Sequence, residues 1–218
     1  VKLNELFFSI QGESSSMGLP TVFVRFTGCN LRCSYCDTTY AYFEGTRTTP
    51  EEIFRRIEEY GVRRVCLTGG EPLIQPREEL QQLLDLLGGN NYEVSIETDG
   101  SIDIERVKLR PKQRFVLDIK VPSSDMHTYM DFDNLKRVVP ERDEIKFVVG
   151  NEEDYLWSKE IIRRYEISPE RGYRLLFSPV YGVLEPRTLA EWILQDEWDV
   201  RLQVQLHKWL WEPGKRGV

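Results

Sequence analysis

Short β-branched and aromatic runs alternate with helical segments along this 218-residue chain, and that alternation leaves few folds open. Thr21 to Thr27 reads as the first strand, followed by Val62 to Thr68 and Tyr92 to Thr98. Phe115 to Val121, Glu144 to Val149, Tyr173 to Ser178 and Val200 to Leu206 extend the series. Between them, Thr49-Pro50-Glu51-Glu52 is a capping box with Pro at the first helical position. Ile53, Ile57 and Tyr60 then share a face, and Gly61 stops the helix. Leu80, Leu83, Leu84 and Leu87 mark a second helix from Pro76, ended by Gly88-Gly89. Helices also fit near Asp133 to Val139, Glu152 to Tyr165 and Glu185 to Trp198. Such alternation implies an α/β fold with a largely parallel sheet and helices outside. About six βα units are too few for a closed eight-fold barrel, so a partial, open parallel β/α barrel is expected. Ligands then bind at the carboxyl ends of the strands.

At roughly 150 residues per domain, residues 1–218 read as one domain. The charge sum, 29 minus 36 or −7, argues against a nucleic-acid or acidic-membrane binder. No apolar run approaches the ~20 residues of a membrane span. Val1 to Gln11 carries Lys2 and Glu5 and does not resemble an export signal, so a reducing cytoplasm is expected.

Cys29, Cys33 and Cys36 fall on one short loop directly after the strand Thr21 to Thr27, spaced C-x3-C-x2-C and opened by Gly28. Three thiolates there can converge on one metal centre. The fourth cysteine, Cys66, lies in the apolar run Val65-Cys66-Leu67 and reads as a small buried hydrophobe. The loop therefore offers three ligands and leaves a position open. Three cysteines on a four-iron cluster free one iron for a substrate. The other reading is a zinc knuckle completed by His127 or His207, both far away in sequence. Thr68-Gly69-Gly70-Glu71-Pro72 breaks the next strand at its carboxyl end, where glycines admit a ligand close to the backbone.

The Gly28-Cys29-x3-Cys33-x2-Cys36 loop with the later Gly69-Gly70-Glu71-Pro72 resembles the radical S-adenosylmethionine (SAM) superfamily. Within it the chain is similar to the 7-carboxy-7-deazaguanine synthases of the queuosine precursor pathway. The likeness runs over nearly the whole chain. It is carried by Phe8 to Glu13, Phe23-Val24-Arg25, Cys36-Asp37-Thr38, Ile96 to Gly100, Gln205 to Lys208 and Lys215 to Val218.

The resemblance implies a [4Fe–4S] cluster on Cys29, Cys33 and Cys36, whose fourth iron chelates SAM. Electron transfer into the sulfonium then yields a 5′-deoxyadenosyl radical. It implies SAM contacts at Tyr35, Cys36, Asp37, Gly70, Glu97, Asp118, Ile119, Lys120, Ser178, Pro179, Val180 and Tyr181. The implied substrate is 6-carboxy-5,6,7,8-tetrahydropterin, which loses hydrogen from C6, contracts its ring and expels ammonia while SAM is regenerated. Ile10, Gln11, Gly12, Glu13, Arg25, Thr68, His207 and Val218 are the implied substrate contacts. Arg25 suits the carboxylate because a guanidinium binds one through two parallel hydrogen bonds. By itself His207, at the end of a strand, reads as a packed residue. Thr38 is the implied Mg²⁺ ligand; on chemistry alone it would be a turn or capping residue. The tail from about 207 to 218 is expected to fold back on the site, bending at Pro213, Gly214 and Gly217, with the Val218 carboxylate near the substrate.

Two departures stand out. Ser14-Ser15-Ser16 replaces the glycine common after Gln-Gly-Glu and is expected to affect loop flexibility only. Asp118-Ile119-Lys120 stands where some relatives have Ser-Pro-Lys. Trp192, Trp198, Trp209 and Trp211 read as core or dimer interface. The expected partners are the pterin, a second copy of the chain and an external one-electron reductant of flavodoxin or ferredoxin type. Two rivals are a glycyl-radical activase with a protein substrate, and an electron carrier or zinc-stabilised binding module. The activase should lack Gln11-Gly12-Glu13 and the Thr after Cys36-Asp37.

Overall fold

A computed structural model describes residues 1–212 and 214–218. Among the described residues nine strands form one sheet: β1 (Lys2–Ile10), β2 (Pro20–Phe26), β3 (Thr46–Arg47), β4 (Arg64–Gly69), β5 (Glu93–Thr98), β6 (Gln113–Ile119), β7 (Glu144–Val149), β8 (Arg174–Pro179) and β9 (Arg201–Leu202). Their order is β3-β1-β2-β4-β5-β6-β7-β8-β9. From β2 through β4 to β9 every neighbour is parallel, while β1 pairs antiparallel with β2 and β3. Among the described residues the end strands β3 and β9 do not pair, so the sheet is open. The helices are α1 (Pro50–Glu58), α2 (Arg77–Gly89), α3 (Asn134–Arg137), α4 (Glu152–Arg164), α5 (Pro186–Gln195) and α6 (His207–Leu210). Among the described residues no helix is long and apolar enough to cross a membrane.

The period-2 alternation of side chains along a strand explains where the site falls. Val24 and Phe26, Val65 and Leu67, Val94 and Ile96, Leu117 and Ile119, and Ile145 and Phe147 are fully buried in one core with Ile53, Ile57, Leu80, Leu83, Leu84 and Leu87 of α1 and α2. Positions of the opposite parity include Arg25, Thr68, Glu97, Asp118 and Lys146, and these line a central cavity. One face of each strand thus feeds the packed layer, and the other carries the polar groups. Leu84→Ala, which empties a fully buried position, is expected to cost about 3 kcal/mol, read as a lower urea midpoint at unchanged slope.

Several elements differ from the sequence reading. β1 has no clean alternation, its burial mixed along both faces, so its first appearance is in the structure. The expected strand Val200 to Leu206 shrinks to β9; Gln203 onward leaves the sheet, and His207 opens α6 instead of ending a strand. The expected helix Asp133 to Val139 is only the single turn α3, because Val138 turns extended ahead of Val139 and Pro140. Gly88 and Gly89 lie inside α2, which ends at Asn90. Pro213 lies outside the described residues.

Ser14 to Ser16 is not a loose loop. Ser14 is fully buried with φ 65°, and Ser16 is 4% exposed. Ser14 N donates to Gln203 Oε1 at 3.1 Å, and Gln203 Nε2 donates to Ser14 O at 2.7 Å. Ser15 N donates to Glu144 Oε2 at 2.9 Å, and Arg114 donates to both Glu144 and Ser16. Leu206 N further donates to Gly12 O at 3.0 Å. The segment after β1 is thereby bonded to the starts of β6 and β7 and to the stretch after β9. These bonds join the two ends of the curled sheet and close its floor without a strand ladder.

Candidate active site

The three loop cysteines, the glycine break after β4 and the segment after β1 meet around one cavity of about 800 Å³. Gly28 O accepts from Glu71 N at 2.8 Å, which ties the cysteine loop to that glycine break. Ser34 N donates to Ser124 O at 3.1 Å, Ser34 Oγ donates to Ser123 O at 2.6 Å, and Arg32 N reaches Met126 Sδ at 3.3 Å. The loop is therefore strapped to the segment after β6. Cys29, Cys33 and Cys36 are part-buried and line the cavity; Cys66 is fully buried and does not. Burial, opposed by the Leu31 N–H and reinforced by Asp99 and Glu71, pushes the Cys29 thiol up to about 12. Burial likewise raises Cys33. Thiols in such a setting ionise only against a strongly cationic partner. Among the described residues no three His, Cys, Asp or Glu side chains are grouped to hold a single metal ion. A four-iron cluster presents a separate iron to each thiolate, so the donor set fits it. His127 packs edge-on against Trp157, and His207 packs on Gly12, so neither is drawn toward the cysteine loop as a zinc ligand.

Gly70 N donates to Phe26 O at 3.1 Å, and a Cβ at Gly70 would sit 1.9 Å from Gly28 O and 2.9 Å from the Cys29 Cβ. Backbone cannot yield to that overlap. Gly70→Ala is therefore expected to displace the cysteine loop and at least halve iron per chain after reconstitution, with the far-UV spectrum retained. Glu71 is fully buried and accepts from Leu73 N, Thr98 Oγ1 and Asp99 N at 2.8, 2.9 and 2.6 Å. Burial, then the neighbouring Asp99, pushes its carboxyl well above the ordinary range. Glu71 thus fastens the end of β4 to the end of β5.

Across the cavity, Arg25 Nε donates to Glu5 Oε1 at 2.8 Å, and Tyr40 Oη donates to the same oxygen at 2.8 Å. Among the described residues the terminal nitrogens of Arg25 have no hydrogen-bond partner, so its fork is open toward the cavity it lines. Thr68 Oγ1 and Gln11 Nε2 donate to Glu97 at 3.0 and 3.4 Å. Glu13 accepts from Lys146 Nζ at 2.7 Å and from Gln205 Nε2 at 2.8 Å. Asp118 lies 3.1 Å from Lys146 Nζ and 3.1 Å from Lys120 Nζ. Burial alone would raise the Asp118 carboxyl, but Lys120 and Lys146 hold it below its ordinary value.

The C-terminal segment reaches the same cavity. Lys208 Nζ is 2.7 Å from Asp37 Oδ2 and 5.0 Å from the centre of the Tyr181 ring. Burial would raise Asp37, but Lys208 brings it down to about 2. Arg216 stacks on Tyr40 at 3.7 Å and pairs with Glu44 at 3.0 Å. Gly217 and Val218 line the cavity. Thr38 Oγ1 donates to Asp37 Oδ1 at 2.9 Å at the rim.

Of the residues singled out in sequence, the cavity gathers Ile10, Gln11, Gly12, Glu13, Arg25, Thr38, Tyr35, Asp37, Thr68, Gly70, Glu97, Asp118, Lys120, Val180, Tyr181, His207 and Val218 with the three cysteines. Ile119 faces the core, and Ser178 and Pro179 are buried outside the lining. Among the described residues Ser178 Oγ is buried without a partner. Trp192 and Trp198 pack against the core, whereas Trp209 is exposed. Sequence reasoning missed Glu5, Tyr40 and Lys146. Only Lys146 carried a signal, a lone cation inside the apolar run Ile145 to Val149.

An open β/α sheet with three cysteines after its first parallel strand is the architecture of radical SAM enzymes, and the sequence model of the Radical SAM superfamily matches residues 23–140. The chain is 44% identical to the 7-carboxy-7-deazaguanine synthase of Chlorobaculum tepidum, covering 100% of this chain and 97% of that one. It is 40% identical to the synthase of Clostridium acetobutylicum, covering 100% and 99%. The crystal structure of QueE from Escherichia coli superposes with a TM-score of 0.75 at 25% identity, over 94% of each chain. The chain belongs to the 7-carboxy-7-deazaguanine synthase family and is an enzyme of the radical SAM class. An electron carrier or zinc-held binding module is thereby set aside. The class uses a [4Fe–4S] cluster and SAM.

Proposed function

We propose that this chain converts 6-carboxy-5,6,7,8-tetrahydropterin to 7-carboxy-7-deazaguanine with release of ammonia, with SAM regenerated in each cycle. The open guanidinium fork of Arg25, in the same cavity as the three cysteines, carries the reading. Cys29, Cys33 and Cys36 would hold the cluster with SAM beside it, and that group would supply the radical chemistry of hydrogen abstraction. The protein's own work is binding, orientation and exclusion of water. Arg25 takes the substrate carboxylate through its two free nitrogens. Gln11, Glu13 and Thr68 offer donors and acceptors to the polar edge of the pterin, and Glu97 is assigned to SAM. Gly12 lets His207 pack onto the segment after β1, since a Cβ there would meet His207 Nδ1 at 2.1 Å.

Gly70, Tyr35, Asp118, Lys120, Val180 and Tyr181 surround the SAM side, with Ile119, Ser178 and Pro179 contributing through backbone or the free Ser178 hydroxyl. Thr38 beside Asp37 is an oxygen site of the kind Mg²⁺ prefers, with water or substrate completing the shell. Residues 207–212 and 214–218, pinned by Lys208 and Arg216, cover the cavity, and we assign residues 1–218 to one domain. We assign the working form as a cytoplasmic homodimer fed by a flavodoxin- or ferredoxin-type reductant.

The test is an anaerobic turnover of reconstituted protein with SAM, dithionite, Mg²⁺ and the carboxytetrahydropterin, read by mass spectrometry. Formation of the deazaguanine without net loss of SAM is expected. SAM cleavage with the pterin untouched would overturn the substrate and favour a protein substrate.

A further inference from the structure

Lys146 sits mid-strand on β7 with its side chain 9% exposed and its ammonium between two carboxylates. Glu13 Oε2 lies 2.7 Å away on the segment after β1, and Asp118 Oδ2 lies 3.1 Å away on β6. Asp118 in turn lies 3.1 Å from Lys120. A buried chain of alternating charge therefore runs from the pterin side of the cavity to the SAM side. The other groups facing it are Glu97 from β5, and Gln205 and His207 from the segment after β9.

We propose that Lys146 is a positioning residue for the reaction: it fixes Glu13 and Asp118 at one spacing and keeps Glu13 a pure acceptor for pterin N–H groups. The proposal rests on the pterin reading above. Burial by itself would depress the Lys146 ammonium, but Asp118 and Glu13 hold it charged, well above its ordinary value. Burial by itself would raise Glu13, but Lys146 brings it below its ordinary 4.5. Glu13 is thus held ionised at neutral pH, and its bonds loosen only as acid protonates it below the ordinary carboxylate range. Without Lys146, the buried Glu13 loses its cationic partner, and among the described residues Gln205 and His207 are the groups left acting on it. Burial then raises the carboxyl, which takes up a proton more readily and presents a donor where the pterin also presents donors.

The test is binding, without turnover. Reconstituted enzyme holding its cluster and SAM, with no reductant, is titrated calorimetrically with 6-carboxy-5,6,7,8-tetrahydropterin. The unaltered enzyme should bind evenly between about pH 6 and 9. Lys146→Met should bind about 30-fold more weakly at neutral pH and recover as pH rises, and Lys146→Arg should stay within about threefold of the unaltered enzyme. Adding Lys146→Met to Glu13→Gln should weaken binding no further than Glu13→Gln alone, a comparison that stands even if the single Met variant folds poorly. Equal binding by Lys146→Met and the unaltered enzyme at every pH would overturn the role of Lys146 alone. So would a weakening that ignores pH and is not relieved by Arg. If the unaltered enzyme binds no pterin, the substrate reading falls and the role of Lys146 falls with it.

Discussion

Cys33→Ala is expected to leave a folded protein with no stable cluster and no detectable turnover. Cys33 is one of three thiols on an eight-residue loop, and no fourth is available, because Cys66 is fully buried outside the cavity lining. Two thiolates cannot hold four irons against loss to solvent. The fold should survive because the loop lies beyond β2, and its straps to Glu71, Ser123 and Ser124 do not pass through the Cys33 sulfur. Iron and sulfide per chain, the visible absorbance and the reduced cluster's electron spin resonance read the first effect; circular dichroism reads the second. Cys66→Ala is the matched control and should keep its iron. A brown, active Cys33→Ala enzyme would overturn the ligand assignment.

Arg25→Ala is expected to lower kcat/KM on the carboxytetrahydropterin by about 10³-fold, since truncating a buried charge pair costs about 4 kcal/mol. Two losses combine. The substrate carboxylate forfeits a bidentate partner, and Glu5 keeps only the Tyr40 hydroxyl on the oxygen it shared with Arg25. Arg25→Lys should recover little, because an ammonium cannot hold Glu5 and a carboxylate through one planar fork. Pairing Arg25→Ala with Glu5→Gln separates the terms: it should restore thermal stability without restoring the substrate KM. If Arg25→Ala turned the pterin over with an unchanged KM, the carboxylate site would lie elsewhere.

Much of this was legible in one dimension. Three cysteines at x3 and x2 spacing can reach one centre whatever the rest of the fold does, because a short loop limits their separation. Strands β2, β4, β5, β6, β7 and β8 were visible because each carries an apolar face, and α1 because Thr49 caps it: its side chain accepts from Glu52 N at 3.2 Å; the two-residue β3 has both positions exposed and carries no such signal. The glycine break after β4 falls at a carboxyl end because strand order and strand direction follow from βα alternation. β1 escaped because it lies antiparallel near the sheet edge, with both faces half-covered, and so has no periodic signature.

The pairings inside the cavity were a different matter. Ser14 to Ser16 read in sequence as a change in loop flexibility only, yet Glu144, Arg114 and Gln203 fix it from far along the chain. Lys146 and Glu13 are 133 residues apart. No local propensity encodes that approach. The sequence by itself determined the chemistry on offer and the edge of the sheet where it gathers, since loop spacing and strand alternation are local properties. Only the tertiary structure decided which charges neutralise one another. A buried ion pair exists through distance and desolvation, and both are set when the ends of a curled sheet are drawn together.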